Sequence, residues 1–281
     1  MNRVVLLSDG EANVGPQTPE ELAALGRKLG AKGLSVTTVG LGLDYNETLM
    51  ARLAGASDGN HVFVKSPADL ETVFQQEFMD AATVVARDAS IRVQFGKGVT
   101  PVRVYGYDGK IEGQDVSVEI PQLQADMEKY AIVEAKLKTA AAPGTQTLAK
   151  VTAQYVVIAD GKKVSEEQDS RIRLVADSKE ADQSRNVAVM EKVIVQTATE
   201  NNDEALAAIN SGDLKKGREL LERNRVMLEG KASEYQSETL RDLSAQVREY
   251  EGMAAKPAAA PEAKKAMQQQ IYNEKTQKKY K

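Results

Sequence analysis

The sequence lacks cysteine and tryptophan, and His61 is its one histidine. Without cysteine the chain has no disulfide, no thiolate nucleophile and no cysteine-based zinc or iron–sulfur site. One histidine excludes a multi-histidine metal site and leaves His61 as the residue that a Ser-His-Asp triad would need. No Gly-x-Ser-x-Gly motif accompanies His61, which opens a short predicted strand, so we assign this histidine no catalytic role.

Long apolar runs and a strong net charge are also missing. No stretch approaches the ~18 apolar residues of a membrane-spanning helix, and the first residues have neither the basic nor the apolar region of a signal peptide. The formal net charge of −4 provides no basic field for nucleic acid or an anionic membrane. As written, the sequence predicts a cytoplasmic chain with no nucleic-acid partner and no membrane span; a longer parent could belong to the cell envelope.

Four apolar residues close to the N-terminus run into a turn. They are Val4, Val5, Leu6 and Leu7, and Ser8, Asp9 and Gly10 follow them. A continuous apolar run ending in a turn signal is typical of a strand buried on both faces of a parallel sheet. Asp9 then lies at the carboxyl end of that strand, where open α/β sheets bind ligands, although aspartate also forms turns there.

Strand and helix patterns alternate from Val4 to Asp80. Strands are predicted at residues 34–42 and 60–64, and helices at 46–54 and from 66 to about 80. Another helix begins at Thr18, which forms a capping box with Glu21 and is followed by Pro19. This alternation predicts right-handed βαβ units and a parallel sheet.

The period of the apolar residues changes to two from Asp88 onward. Turn signals at Asp108-Gly109 and Asp160-Gly161 separate the short strands, which predicts an antiparallel β-sandwich. Helical periodicity returns from Asp182, and one helical hairpin resembles a tetratricopeptide repeat, although an ordinary hairpin is favoured because no second copy follows. The predicted regions are an α/β domain at residues 1–86, a β-sandwich at 87–177, helices at 181–252, and a linker with a disordered tail at 253–281.

An ordered set of motifs in the predicted α/β region resembles the C-terminal half of a von Willebrand factor type A (VWA) domain. The set comprises the strand that ends at Asp9, the segments at residues 39–42 and 49–54, and the helix start at 66–70. The resemblance implies a doubly wound parallel sheet that binds protein partners through a divalent cation, usually Mg²⁺, at a metal-ion-dependent adhesion site. The later regions are similar to those that follow such domains in bacterial proteins resembling Ca-activated chloride channel-like proteins.

The resemblance also implies that this chain carries only part of the adhesion site. Asp9 matches the aspartate after the family's fourth strand, and no residues match the family's Asp-x-Ser-x-Ser loop or its threonine ligand. Asp9 is therefore the remaining candidate metal ligand, and one carboxylate does not hold Mg²⁺ tightly. We expect no tightly bound cofactor in this chain.

The missing half also predicts an open sheet edge. In the family the fourth strand pairs with the first, so the apolar strand at residues 4–7 becomes an edge that favours pairing with another chain. We therefore expect either that Met1 is internal to a longer protein or that a second chain or copy supplies the missing strands.

The VWA resemblance implies one function, and a resemblance of the residues around Asp9 to another family leaves a second one open. The first is a non-enzymatic protein-binding or scaffold protein with a protein partner and a homo-oligomer through the edge at residues 4–7. The alternative is a phosphohydrolase of haloacid dehalogenase type with Asp9 as nucleophile. Its second acid would be Glu11 in place of the usual aspartate, and its downstream lysine and acidic pair are not evident.

Overall fold

A computed structural model describes residues 2–11, 14–138, 144–254 and 260–278. The chain divides into two compact units. The first unit combines Met1–Ala82 with Ile194–Lys281, and the second is Thr83–Val193. The predicted α/β region and most of the C-terminal helices thus belong to one unit, with the strand-rich region inserted between them in sequence.

A parallel three-stranded sheet organises the N-terminal part of the first unit. Its strands are β1 (Asn2–Ser8), β2 (Leu34–Leu41) and β3 (His61–Val64), in the order β1-β2-β3. The connecting helices are α1 (Pro19–Gly30) and α2 (Glu47–Ala56), and α3 (Leu70–Ala82) follows a short 3-10 turn at Pro67–Asp69. The predicted capping box of Thr18 and Glu21 is present at the start of α1. The predicted parallel α/β arrangement is therefore confirmed.

The two faces of this sheet have different covers. Val5 of β1 packs with Val39, Val62, Val64 and Val73, the last of these on α3. On the other face, the hydroxyl of Thr38 donates to the carbonyl oxygen of Met50 in α2 at 3.1 Å. Because side chains alternate along a strand, odd-numbered residues of β1 and β2 face α3 and even-numbered residues face the opposite side.

The second unit contains two antiparallel sheets. The larger has the order β10-β9-β4-β7-β6, and the smaller pairs β5 with β8. Their bounds are β4 (Val84–Phe95), β5 (Val99–Tyr105), β6 (Gly109–Glu112), β7 (Asp115–Gln124), β8 (Ile132–Leu137), β9 (Gly144–Val157) and β10 (Lys163–Leu174). Buried Val99 of the smaller sheet clusters with Val116, Val118 and Ile120 of the larger sheet. The predicted antiparallel sandwich is confirmed by this shared core.

The chain beyond β10 is helical. Its helices are α4 (Ser178–Gln183), α5 (Val187–Asn210), α6 (Leu214–Tyr235), α7 (Glu238–Ala254) and α8 (Ala260–Thr276). From Ile194 onward they form a core in which Leu221, Leu228, Leu240 and Val247 are fully buried. No helix in the described ranges is long and apolar enough to cross a membrane.

The C-terminus differs from the disordered tail that the sequence predicts from residue 267. Residues 260–276 form helix α8, whose Met267, Ile271 and Tyr272 are each at most 5% exposed. These few apolar residues suffice to hold the helix in place because it packs on two clusters. Met267 and Ile271 join the core of the C-terminal helices, and Tyr272 clusters with Ala51 and Ala54 of α2. The predicted linker falls largely at residues 255–259, and these, with Met1 and residues 279–281, lie outside the described residues.

Candidate functional site

Asp9 lies immediately after β1, at the carboxyl end of the parallel sheet, and is exposed. Its neighbour Ser8 orders the turn, because the Ser8 hydroxyl donates to the carbonyl oxygen of Gly10 at 3.1 Å. Glu11, the second acid of the phosphohydrolase alternative, is also exposed. The position of Asp9 is thus the one that the sequence predicts for a ligand-binding residue.

A metal ion needs more ligands than this turn brings together. Within the described ranges, no group of three or more histidine, aspartate or glutamate side chains is placed to hold one. Mg²⁺ requires several oxygen ligands in near-octahedral geometry. The described residues therefore do not fit a complete metal site by themselves, and the role of Asp9 as a ligand stays a prediction.

Strand β1 is an edge of the sheet in the part of the chain that the structure describes. Among the described residues it pairs with β2 alone, in parallel register from Asn2 opposite Leu34 to Ser8 opposite Gly40. Three of its apolar side chains face solvent, with exposed fractions of 46% for Val4, 39% for Leu6 and 47% for Leu7. An apolar edge strand with unpaired backbone groups is a template for another strand.

Helix α3 adds aromatic side chains next to this edge. Phe74 is 47% exposed and Phe78 is 75% exposed. On the helix these two residues lie on the opposite side of Glu77 from Asp80, and Asp80 accepts a hydrogen bond from Asn60 ahead of β3. Phe74 and Phe78 therefore lie on the side of α3 towards β1. We call Val4, Leu6, Leu7, Phe74 and Phe78 together the β1 surface.

Glu77 fixes α3 against the sheet. Its buried carboxylate pairs with Arg3 of β1 at 3.0 Å and accepts hydrogen bonds from the Thr37 hydroxyl of β2 and the Asn60 amide. The Arg3 guanidinium also donates to the carbonyl oxygen of Glu77 at 3.1 Å. One buried acid thus ties α3 to β1, to β2 and to the start of β3, which holds the aromatic side chains of the β1 surface in place.

The opposite edge of the sheet, at β3, is covered by α8. The Phe63 amide of β3 donates to the side-chain oxygen of Gln269 at 3.0 Å, and the Tyr272 hydroxyl donates to the carbonyl oxygen of Gly59. The Lys278 ammonium donates to the carbonyl oxygens of Asp58, at 2.9 Å, and Gly59. Side chains of α8 and of a residue that follows it closely thus bind one backbone group of β3 and two in the turn ahead of it.

Lys265 anchors α8 in a polar pocket beside this edge. Its ammonium donates to the carbonyl oxygen of Tyr45 at 2.6 Å and to the Glu47 carboxylate at 3.0 Å, and it lies 3.8 Å from the centre of the Tyr45 ring. The residue is 2% exposed. Burial of an ammonium is tolerated because a carboxylate, a carbonyl and an aromatic face all stabilise its charge.

His61 lies fully buried between the same elements. Its Nδ1 is 3.0 Å from the Thr38 hydroxyl, and its ring meets those of Tyr45 and Tyr272 edge-on. Desolvation, and then the charge of Lys265, lower the pKa of His61 to about 3. His61 is thus a neutral residue of the α8 interface.

The sequence predictions missed α8 and its contacts. A signal was present, because Ala263, Met267 and Ile271 recur at intervals of four, the spacing of one helix face. It was obscured by the many lysine and glutamine residues between them. Several of these lysine and glutamine residues bind partners that are distant in sequence, and a local pattern does not show such contacts.

Comparison of the sequence with known proteins gives one partial match. No family model matches the chain. It is 30% identical over 110 residues to "Uncharacterized protein YfbK" of Escherichia coli (strain K12), a match that covers 38% of this chain and 19% of YfbK. The chain therefore spans only a minor part of this relative.

Two solved structures match almost the whole chain. A von Willebrand factor type A protein from Catenulispora acidiphila superposes with a TM-score of 0.67 and 19% identity over 88% of this chain and 57% of that structure. The ArnB paralog VWA2 from Sulfolobus acidocaldarius gives a TM-score of 0.56 and 19% identity over 96% of this chain and 63% of its own. The chain thus spans about three fifths of each, and the likeness extends well beyond the α/β region. The fold of this chain is that of the von Willebrand factor type A proteins.

Proposed function

We propose that this chain is a non-enzymatic protein-interaction module and that its contact area is the β1 surface. The observation that carries the proposal is the apolar exposure of β1, since Val4, Leu6 and Leu7 are each at least 39% exposed on a strand that pairs, among the described residues, on one side alone. Contiguous exposed apolar side chains mark interaction sites in folded proteins. The VWA-like fold supports the proposal as an analogy.

The geometry of the β1 surface favours a partner that adds a strand. The free side of β1 presents backbone donors and acceptors, which give affinity, and its alternating side chains give specificity on both faces. Leu7 faces the α3 side of the sheet, whereas Val4 and Leu6 face the other side. An extended apolar segment therefore matches the surface on both faces of the sheet, and a second copy of β1 is one such segment.

Asp9 contributes one exposed carboxylate at the end of the same strand. We propose it as a candidate ligand whose companions would come from the polypeptide that covers the β1 edge. Addition of Mg²⁺ to this chain by itself is accordingly not expected to raise its melting temperature.

The test is the association state of the chain with and without a charge on the edge. Light scattering at tens of micromolar should show concentration-dependent association of the wild type and a monomer for Leu6→Lys, because an edge lysine opposes strand pairing. Val226→Lys is the matched control, since Val226 is a 56% exposed valine on α6, and it should behave as the wild type. A monomeric wild type, or equal association of the Leu6→Lys variant, would contradict self-association through β1.

The phosphohydrolase alternative uses Asp9 differently and has its own test. The feature that supports the phosphohydrolase alternative is the exposed Asp9, followed two positions later by the exposed Glu11. Turnover of an aryl phosphate that Asp9→Asn abolishes would favour the alternative. Inactivity of the wild type with and without Mg²⁺ would remove it and leave the interaction module.

A further inference from the structure

The two edges of the parallel sheet are complementary to each other. β1 and β3 run in the same direction, with β2 between them. A second copy moved sideways across the sheet would place its β1 next to β3 without reversing any strand, and its helices would stay on the same two faces. Such a contact joins two different surfaces, so it does not close and repeats indefinitely.

Helix α8 occupies the position that this second copy would need. We propose that α8 is a cover for the β3 edge, which prevents a second copy of this chain from adding its β1 strand there and so stops head-to-tail growth of the sheet. The proposal rests on the β1 surface being an association surface, as proposed above. The surface complementary to β1 is then the β3 edge, and α8 controls access to that edge.

The contacts of α8 are directed at the backbone groups that strand addition requires. In β3 the carbonyl of Val64 faces β2, where it accepts from the Gly42 amide, and just ahead of β3 the carbonyl of Asn60 accepts from the Thr38 amide. The Phe63 amide of β3 faces outward and donates to Gln269, and the Gly59 carbonyl, two residues ahead of β3, accepts from Tyr272. A helix that takes up outward-facing groups of an edge strand blocks pairing there.

Two lysines hold the cover at its ends by charge. Lys265 meets Glu47 near the start of α8, and Lys278 meets the Asp58 carboxylate at 3.1 Å just beyond its end. The side chains of both lysines are at most 7% exposed. Replacing both by glutamate would bury like charges against each other, which is strongly unfavourable, so α8 should leave the edge.

The experiment compares assembly of the full chain with the cover in place and released. Lys265→Glu/Lys278→Glu should increase the weight-average mass several-fold over the wild type in sedimentation velocity. Lys264→Glu makes the same kind of change on the same helix, at a residue not opposed to Glu47 or Asp58, and should leave the mass unchanged. Addition of Leu6→Lys to the double variant should abolish the growth, because the incoming strand is β1.

A second variant guards against incomplete release or misfolding. Gln269→Pro breaks α8 in its middle and also removes the acceptor of the Phe63 amide. Hydrogen exchange reports release of α8 as rapid exchange at residues 260–278 with continued protection in β2. If α8 is released in either variant and the mass does not grow, or if the growth survives Leu6→Lys, the proposal is overturned. Failure of the proposed function is distinguished separately: if β1 is not an association surface, Leu6→Lys leaves the association state of the otherwise wild-type chain unchanged.

Discussion

At the scale of single residues, the first unit depends on charged groups that are buried but fully paired. Glu77 is 3% exposed and connects α3 to two strands and to the turn before the third. Removal of one partner of a buried ion pair leaves the other charge without compensation in a medium of low polarity. The destabilisation is then larger than the strength of the pair itself.

Replacement of Glu77 by alanine is therefore expected to lower the free energy of unfolding of the first unit by about 3–5 kcal/mol. The cause is the Arg3 guanidinium, 9% exposed, which would lose its carboxylate partner. Urea unfolding followed by circular dichroism measures the change. Glu71→Ala, at an exposed position of the same helix, is the control and should stay within about 0.5 kcal/mol of the wild type. Equal effects of the two substitutions would argue against the buried network.

At the scale of elements, α8 introduces a dependence on pH. The groups that face His61 are Lys265 and Tyr272 from α8, Tyr45 from the turn ahead of α2 and Thr38 from β2. None of these is an anion next to the imidazole, so its protonated form is not stabilised there. Because the pKa of His61 is lowered to about 3 in the folded chain, from its ordinary value of 6.5, the neutral form is favoured by folding.

The stability that this histidine contributes is complete above about pH 6.5 and is lost as the pH falls from there towards 3. Between about pH 7 and pH 5 the loss should reach about 2 kcal/mol, since one pKa unit corresponds to about 1.4 kcal/mol. Urea unfolding of the first unit at several pH values in this range measures it. The matched variant His61→Gln has no group that titrates at this position, so its stability should change much less over the same range. Parallel curves for the two proteins would contradict the assignment to His61.

At the scale of the whole molecule, the second unit is inserted in sequence between the two parts of the first. Residues 83–193 contain the strands of both antiparallel sheets and a core cluster of their own. The first unit, in contrast, needs segments from both ends of the chain. Tyr272 of α8 packs on Ala51 and Ala54 of α2, with the whole second unit lying between them in sequence.

This organisation predicts different behaviour of two fragments. Residues 83–193 expressed alone should give a strand-type circular dichroism spectrum and a cooperative thermal transition, because their core is internal to the fragment. Residues 1–82 alone should show no cooperative transition, since β3 and α2 lose the cover that α8 provides. A cooperative transition of the 1–82 fragment would show that α8 is dispensable for the α/β part.

Much of the architecture was predictable because the local periodicity of apolar residues and the turn and capping residues indicate it. The apolar run before Asp9, the capping box of Thr18 and Glu21, and the change of period at Asp88 indicated the parallel sheet, α1 and the antiparallel strands. The position of Asp9 at a strand end followed from the same patterns. These features depend on residues close to one another in sequence, whereas the open edge at β1 was expected only from the VWA resemblance.

The remaining features depend on partners that are distant in sequence. The sequence by itself determined which segments ahead of residue 253 form the parallel sheet, the antiparallel strands and the helices, and which end of β1 carries Asp9. The tertiary structure alone decided that Glu77 is buried and connects α3 to the sheet rather than lying on the surface. It also decided that a lysine-rich tail is a helix that covers β3. The physical reason is that a buried charge is tolerated only where its partners meet it, and for Lys265 those partners, Tyr45 and Glu47, belong to the opposite end of the chain.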